Sequence, residues 1–412
     1  MILFWRPTVG AGWLAVVSKD SKPTVLIMVE NLPAPLDRRV WQEAQALRDG
    51  GYRVVIICPK MRGYTEPVEL LDDIWIFRHW ISDEAGGFIG FVGEYASALL
   101  GEWLLAWKVW FRFRFRVIHL CNPPDLLFLI AAPFRALGVK VVYDVHDVWP
   151  EMFEAKFRRR GPVYWLVRAA ERLTYCVAQV TLATNESVRQ VALTRGKMAP
   201  EDVFVVRTAP KIQTNQAVED PSLKRGRRFL VGYVGVMGDA DGVNLILDAA
   251  RHLICDQKRD DIQFLLMGTG PEFEKLVALR AEYDLDQWVE MPGRVSNEFL
   301  FSALKTMDLG VASDPINPYN DHCTMNKTLE YMAFGKAQVM FDLAEGRASA
   351  GDAAFYVTES SGKALGEGIA AALADSEARD RMGRIGKERL EKELNWERSV
   401  ESLLSAYDRV LK

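Results

Sequence analysis

The chain has 412 residues, 49% of them hydrophobic and 26% charged, with 30 Gly and 18 Pro. These ordinary globular proportions exclude extended disorder, collagen and low-complexity sequence and leave room for two or three domains. A net charge of -4 excludes a generic nucleic-acid binder. The five cysteines, Cys58, Cys121, Cys176, Cys255 and Cys323, are far apart and form no CxxC pair, which argues for a reducing, cytoplasmic setting.

Residues 1–23 read as an N-terminal tail. Their apolar part is broken by Arg6, Pro7, Gly10 and Gly12 and lacks the basic leader and cleavage site of a signal peptide. No stretch reaches the about 18 uninterrupted apolar residues of a spanning helix. From Thr24 on, strands are expected at 24–30, 52–59, 74–79, 116–122, 140–147, 179–185 and 203–207, with a helix at 37–49. Their Val/Ile/Leu-rich runs alternate little, which indicates a parallel sheet buried on both faces in a first domain, 24–210.

Residues 211–227 are polar without an apolar period and read as a linker. Strands are expected again at 229–235, 262–268, 289–292, 309–313, 338–342 and 354–357, with helices between, in a second domain, 228–395. A helical period runs from Ser376 to Leu411, and 396–412 is set apart as a final helix. The fold class is therefore α/β, with two doubly wound domains and a cleft where ligands meet the carboxyl ends of the strands. The halves differ in charge. Residues 1–210 hold 26 Lys and Arg against 22 Asp and Glu, and the remainder holds 25 against 33, as if the domains faced different partners.

In the turn GVMGDADG, Gly235 and Gly238 let backbone N–H groups approach a phosphate at a helix start, and Gly268 and Gly270 do so in GTGP. Tight βα turns also use such glycines, but two such loops in one domain point to a nucleotide. Asp239 and Asp241 could hold Mg²⁺; an exposed turn with an Asp at the helix N-cap explains them better, and no metal is expected. In CTMNKTLEYMAFG, Lys327 near a helix start can reach an anionic diphosphate. Glu330, one turn on, can accept hydrogen bonds from a ribose diol; a solvated Lys–Glu pair is the alternative. His146 ends the 140–147 strand and so faces the cleft, as a donor to sugar hydroxyls or as a structural histidine.

Taken in order, YDVHDVWPE, VGYVGVMGDADG, MGTGPE, PGRV and CTMNKTLEYMAFGKAQVMFD resemble the family 4 retaining glycosyltransferases, bacterial group 1 enzymes, over nearly the whole chain from Thr24. The resemblance implies the GT-B fold, two Rossmann-like domains with an inter-domain cleft, and a last helix that returns to the first domain. It implies a catalytic set of His146 beside the donor sugar, Lys327 on the diphosphate and Glu330 on the ribose. Glu330 would be the second Glu of the family's Glu–seven residues–Glu motif. It further implies Arg294 and Val295 beside the base, and Gly235, Gly238, Gly268, Gly270 and Asn326 around the donor. The first Glu of the motif falls at His322, with Asp321 beside it, and either could replace it in holding the donor sugar. Asp241 stands where a basic residue often precedes Gly242, and residues 31–39 lack the common Gly pair.

The implied reaction moves a sugar from a nucleotide-diphosphate sugar to a hydroxyl acceptor through an oxocarbenium-like state. Lys327, backbone and helix N-termini would stabilise the departing diphosphate without metal or other cofactor. Cell-surface glycan or glycolipid synthesis is the expected setting. A sugar-nucleotide 2-epimerase, or a non-catalytic sugar-nucleotide-binding subunit, is the alternative.

In WLLAWKVWFRFRFR, residues 103–116, Trp103, Leu104, Trp107, Trp110 and Phe111 recur at helical spacing among Lys108, Arg112, Arg114 and Arg116. Lys156, Arg158, Arg159, Arg160, Tyr164 and Trp165 follow, and 103–168 holds 11 basic residues against 5 acidic ones. This suits an interfacial surface on anionic lipid at the inner face of the plasma membrane. A core-facing helix with a basic rim is the alternative. The expected partners are a nucleotide-sugar donor, a glycan or lipid-linked acceptor and an anionic membrane surface, with no nucleic acid.

Overall fold

The computed structural model describes residues 23–80, 88–157, 160–208 and 217–412, and of 88–97 and 156 the backbone alone. The expected tail up to residue 22, Arg158, Arg159 and residues 209–216 lie outside the described residues.

Eight strands form the first sheet: β1 (Thr24–Val29), β2 (Arg53–Pro59), β3 (Val68–Leu71), β4 (Ile74–His79), β5 (Val117–Cys121), β6 (Lys140–Val145), β7 (Val180–Ala183) and β8 (Val203–Val205). Their order is β3-β4-β2-β1-β5-β6-β7-β8, and every pairing is parallel except β3 with β4. All residues of β1, β5 and β7 are buried, as their largely apolar runs require in a sheet covered on both faces. The sequence reading misses β3, a four-residue edge strand joined to β4 by Asp72 and Asp73, both at positive φ. That is a two-residue hairpin turn, whose flanking strand is too short and too exposed to carry an apolar signal.

The second sheet holds β9 (Phe229–Val234), β10 (Ile262–Met267), β11 (Val289–Gly293), β12 (Leu309–Ala312), β13 (Gln338–Phe341) and β14 (Ala354–Val357). It is wholly parallel, in the order β11-β10-β9-β12-β13-β14. Strand order reverses between β1 and β5 in one sheet and between β9 and β12 in the other. The loops after these four strands are where a doubly wound sheet opens a ligand crevice.

From Ala217 the expected linker is docked on the second domain. The Asp220 N–H donates to the Thr306 hydroxyl (2.8 Å), and Lys224 pairs with Asp308 (2.8 Å). The last helix, Trp396–Leu411, buries Leu403, Ala406, Tyr407 and Val410 in the core of the first domain, one stripe at 3–4 residue spacing. No helix among the described residues is long and apolar enough to cross a membrane.

Candidate active site

β6 carries Asp144, a fully buried carboxylate in a strand that is apolar from Val141 to Tyr143, and His146 follows it at i+2 on the same side. A charge can stay at such a position only if it is paired and hydrogen-bonded. Its partner is Arg39, from the first turn of the helix Arg38–Asp49, which the Asp37 side chain caps at the Val40 N–H. Arg39 Nε donates to Asp144 Oδ2 (2.9 Å) and Nη2 to Oδ1 (2.5 Å), while Nη1 donates to the Val206 carbonyl (2.6 Å). Glu43, one helical turn on, lies 3.0 Å from the same guanidinium. His146 Nε2 is 2.6 Å from Asp144 Oδ2, and its main-chain N–H donates to Asn122 Oδ1 (2.7 Å).

Burial works against the Asp144 anion, but Arg39 and His146 outweigh it and hold the carboxyl well below its usual range. Burial likewise opposes the His146 imidazolium, and Asp144 reverses this and raises its pKa. Glu43 goes the other way: burial pushes its carboxyl up to about 8 despite Arg39. The folded chain therefore keeps a proton on Glu43 that the unfolded chain releases near pH 4.3. The resulting stability is complete below that pH and is lost as pH rises through about 8. Glu43→Gln should flatten this decline. We expect its unfolding free energy, measured by chemical denaturation at pH 5, 6, 7 and 8, to fall less with pH than that of the wild type; equal slopes would refute the assignment.

On the other side of the cleft, Lys327 is the second residue of the helix Asn326–Ala333 and is buried. Its Nζ bonds both oxygens of Asp314, at 2.7 and 2.9 Å, lies 3.7 Å from Asp241 Oδ1, and sits over the Tyr233 ring. Burial disfavours its charge, but the two carboxylates prevail and raise its pKa. Asp241 is not the expected exposed N-cap. The cap of the helix Val243–Arg251 is Gly242, at φ 61°, where a Cβ would lie 2.2 Å from the Ser313 carbonyl. Asp241 instead accepts from the Gly238 N–H (3.0 Å) and turns towards Lys327.

The two glycine loops are stacked on each other. A Cβ on Gly268, at φ 141°, would lie 1.8 Å from the Gly235 carbonyl oxygen, and one on Gly270 would lie 2.5 Å from that of Met237. Loop-on-loop packing is thus sufficient reason for both glycines. The Gly268 N–H also donates to the Gly293 carbonyl (2.9 Å), which brings the turn with exposed Arg294 alongside, while Val295 packs against the apolar cluster that includes Leu265, Met267 and Leu304.

Two adjoining cavities fill the cleft. The larger, about 570 Å³, has Arg38 and Gln42 on one wall and Phe301, Asn326 and Glu330 on the other. Arg38 faces Glu330 across it at 3.8 Å, and burial raises the Glu330 pKa. The smaller, about 200 Å³, is lined by His146, Asp147, Thr184, Cys323 and Thr324, and Arg39, Thr208 and Asn326 border both. Hydrogen bonds tie the domains beside it: Tyr319 to Asp147 (3.0 Å), and Asn185 to the His322 carbonyl (2.7 Å) and the Thr324 hydroxyl (3.0 Å). Neither Asp321 nor His322 lines either of these two cavities. Asp321 accepts from the Ala344 N–H (3.0 Å) at the start of the helix Ala344–Ala350, and the buried Nδ1 of His322 has no hydrogen-bond partner. His119, Cys121 and Asp144 place three ligand-type atoms within 4.8 Å of one another, but the Arg39 guanidinium already supplies the positive charge there.

The family models divide the chain as the sheets do. Residues 36–209 match Glycosyltransferase Family 4, and residues 228–375 match Glycosyl transferases group 1. The chain belongs to the group 1 glycosyltransferases.

An uncharacterised glycosyltransferase of Methanocaldococcus jannaschii is 22% identical to this one over 69% of this chain and 72% of its own. Among solved structures, a sucrose-phosphate synthase from Thermosynechococcus elongatus aligns over 95% of this chain and 99% of its own, with a TM-score of 0.74 at 15% identity. Anabaena HepE in complex with UDP and glucose aligns over 94% and 100%, with a TM-score of 0.68 at 13% identity. At these identities the likeness shows the shared GT-B fold.

In this glycosyltransferase the cleft joins His146, Asn326 and Glu330, while Lys327 lies behind the wall beside Gly235. Sequence reasoning missed Arg38, Arg39, Glu43, Asp144 and Asp314. One signal was available for Asp144: it is the lone acid inside a strand that must be buried on both faces.

Proposed function

We propose that this glycosyltransferase moves a sugar from a nucleoside-diphosphate sugar to a hydroxyl acceptor, with retention and without metal. The observation that carries this reading is the continuous cleft with His146 on one wall and Glu330 on the other. Glu330 would hold the ribose, and the 200 Å³ cavity against His146 suits a single sugar ring. The 235–242 backbone would face the diphosphate, with the Lys327 charge acting from behind it. Fold neighbours support the donor class, since HepE is bound to UDP and glucose and a starch synthase IV from Arabidopsis thaliana to ADP and acarbose.

The test is a panel of UDP-, GDP- and dTDP-sugars without acceptor. Slow release of nucleoside diphosphate is expected. Interconversion of sugar nucleotides would mean an epimerase, and binding without turnover a non-catalytic subunit. Glu330→Ala should weaken donor binding by about 1.5–3 kcal/mol in calorimetry, the worth of a charge-assisted hydrogen bond; unchanged affinity would remove Glu330 from the donor site.

The acceptor side supports a lipid-linked acceptor in cell-surface glycan or glycolipid synthesis, reached from the inner face of the plasma membrane. The helices Phe88–Phe113, Phe128–Ala136 and Pro162–Val177 pack side by side on the first sheet. Trp107 and Trp110 turn inward onto Phe134, whereas Leu104, Phe111 (62% exposed), Leu129, Trp165 (62%) and Leu166 stand in solvent. Lys108, Arg112, Arg114, Arg135 and Arg172 are exposed on the same helices or directly after them. Apolar side chains among cations fit an anionic interface. Sedimentation with vesicles should rise with anionic-lipid content and fall with salt; binding indifferent to anionic lipid would refute membrane contact.

A further inference from the structure

We propose that Asp144 is a positioning residue for His146: it holds ring atom Nε2 towards the protein and so leaves Nδ1 as the nitrogen presented to the donor sugar. The proposal rests on the reading of the cleft as the transfer site.

The His146 main chain is fixed first. Its N–H donates to Asn122 Oδ1, and Asn122 is locked in turn by donating to Asp125 (3.0 Å), the Tyr143 hydroxyl (3.1 Å) and the Asp147 carbonyl (2.8 Å). The ring is fixed second, by Nε2 on Asp144 Oδ2. That carboxylate cannot turn, because Arg39 holds both of its oxygens and is itself anchored to the Val206 carbonyl. His119 closes the group from β5, with Nε2 3.5 Å from Asp144 Oδ2 and Nδ1 2.8 Å from the Tyr407 hydroxyl of the last helix. Among the described residues His146 Nδ1 has no partner, and the side chain lines the 200 Å³ cavity.

The surrounding charges make that free nitrogen a donor. Asp144 and Asp147 flank His146 on its own segment. The helix Arg38–Asp49 and its cap bring Arg39, Glu43 and Asp37; β5 brings His119 and Cys121; the loop after β12 brings Cys323 and Tyr319, which bonds Asp147. Arg39 is committed to Asp144, Glu43 keeps its proton to about pH 8, and burial keeps His119 neutral. The imidazolium of His146 thus borders the cavity with one ring N–H bound to Asp144 and the other without a partner among the described residues. It donates Nε2–H to Asp144 and offers Nδ1–H to a sugar hydroxyl.

The alternative is that Asp144 only balances Arg39 and holds the fold. The experiment separates the two in the full-length protein labelled with ¹⁵N-histidine, with the His146 signal assigned by its loss in His146→Gln. We expect that signal to titrate above the ordinary histidine value of about 6.5 and to keep Nε2 protonated throughout. In Asp144→Asn its pKa should fall by about 1–3 units, and the alkaline decline of kcat should move down with it while donor KM changes little. A wild-type pKa at or below 6.5, or an Asp144→Asn pKa equal to the wild type, overturns the proposal. If Asp144→Asn does not fold, the wild-type titration decides alone. A protein without turnover that still shows the titration shift would refute the transfer reading and leave the Asp144–His146 pairing standing.

Discussion

His146→Ala should lower sugar transfer by about 10²–10³-fold, the usual loss when one donor aimed at the reacting centre is removed. The fold should survive. The main-chain bond to Asn122 does not involve the ring, and Asp144 loses the imidazole but retains both bonds to Arg39, so no buried charge is left without a partner. Turnover with a donor found by the sugar-nucleotide panel, together with a thermal melt, checks both halves of the expectation. Wild-type turnover in the folded variant would make His146 a structural histidine.

Lys327→Ala should lose about 3–5 kcal/mol of stability, the cost of stripping the partner from a buried charge. The resemblance alone implies a loss of donor affinity. The structure adds a larger effect, because Asp314 is buried and accepts both of its short bonds from Lys327 Nζ. The charge of Asp241, 3.7 Å away, would be left facing Asp314 with no cation between them. A double variant, Lys327→Met with Asp314→Leu, removes both charges and should regain most of the lost stability. It should still bind the donor weakly, because the positive charge beside the 235–242 loop is gone. Chemical denaturation and calorimetry on both variants separate the two roles. A single variant as stable as the wild type would show that Asp314 does not depend on Lys327, and a double variant with wild-type affinity would remove Lys327 from the diphosphate.

Much of the cleft was legible along the chain. His146 follows a buried strand, and Lys327 and Glu330 sit on a helix whose start is marked by a loop, so local patterns place all three near strand or helix ends that face a crevice. The glycine loops were legible too, but their cause was not. Gly268 reads as room for a phosphate, whereas it faces the Gly235 carbonyl of a loop more than thirty residues earlier in the chain. Asp241 was misplaced for a similar reason. In sequence it is an acid before a helix, and only the arrival of Lys327 makes it one of two carboxylates around a buried cation.

Local patterns determined every strand but β3, the parallel pairing of those strands, the two sheets and the last helix, because apolar runs and a 3–4 residue apolar period act over a few residues of chain. The motifs likewise marked the loops that the resemblance assigns to a donor. Tertiary structure alone decided which charges share the buried ground beneath His146. Arg39 reaches Asp144 across 105 residues of sequence and Tyr407 reaches His119 across 288. No local pattern encodes such pairings. A buried carboxylate is tolerated only where partners converge on it from separate elements, and that convergence exists only once the sheet, the first helix and the last helix have packed together.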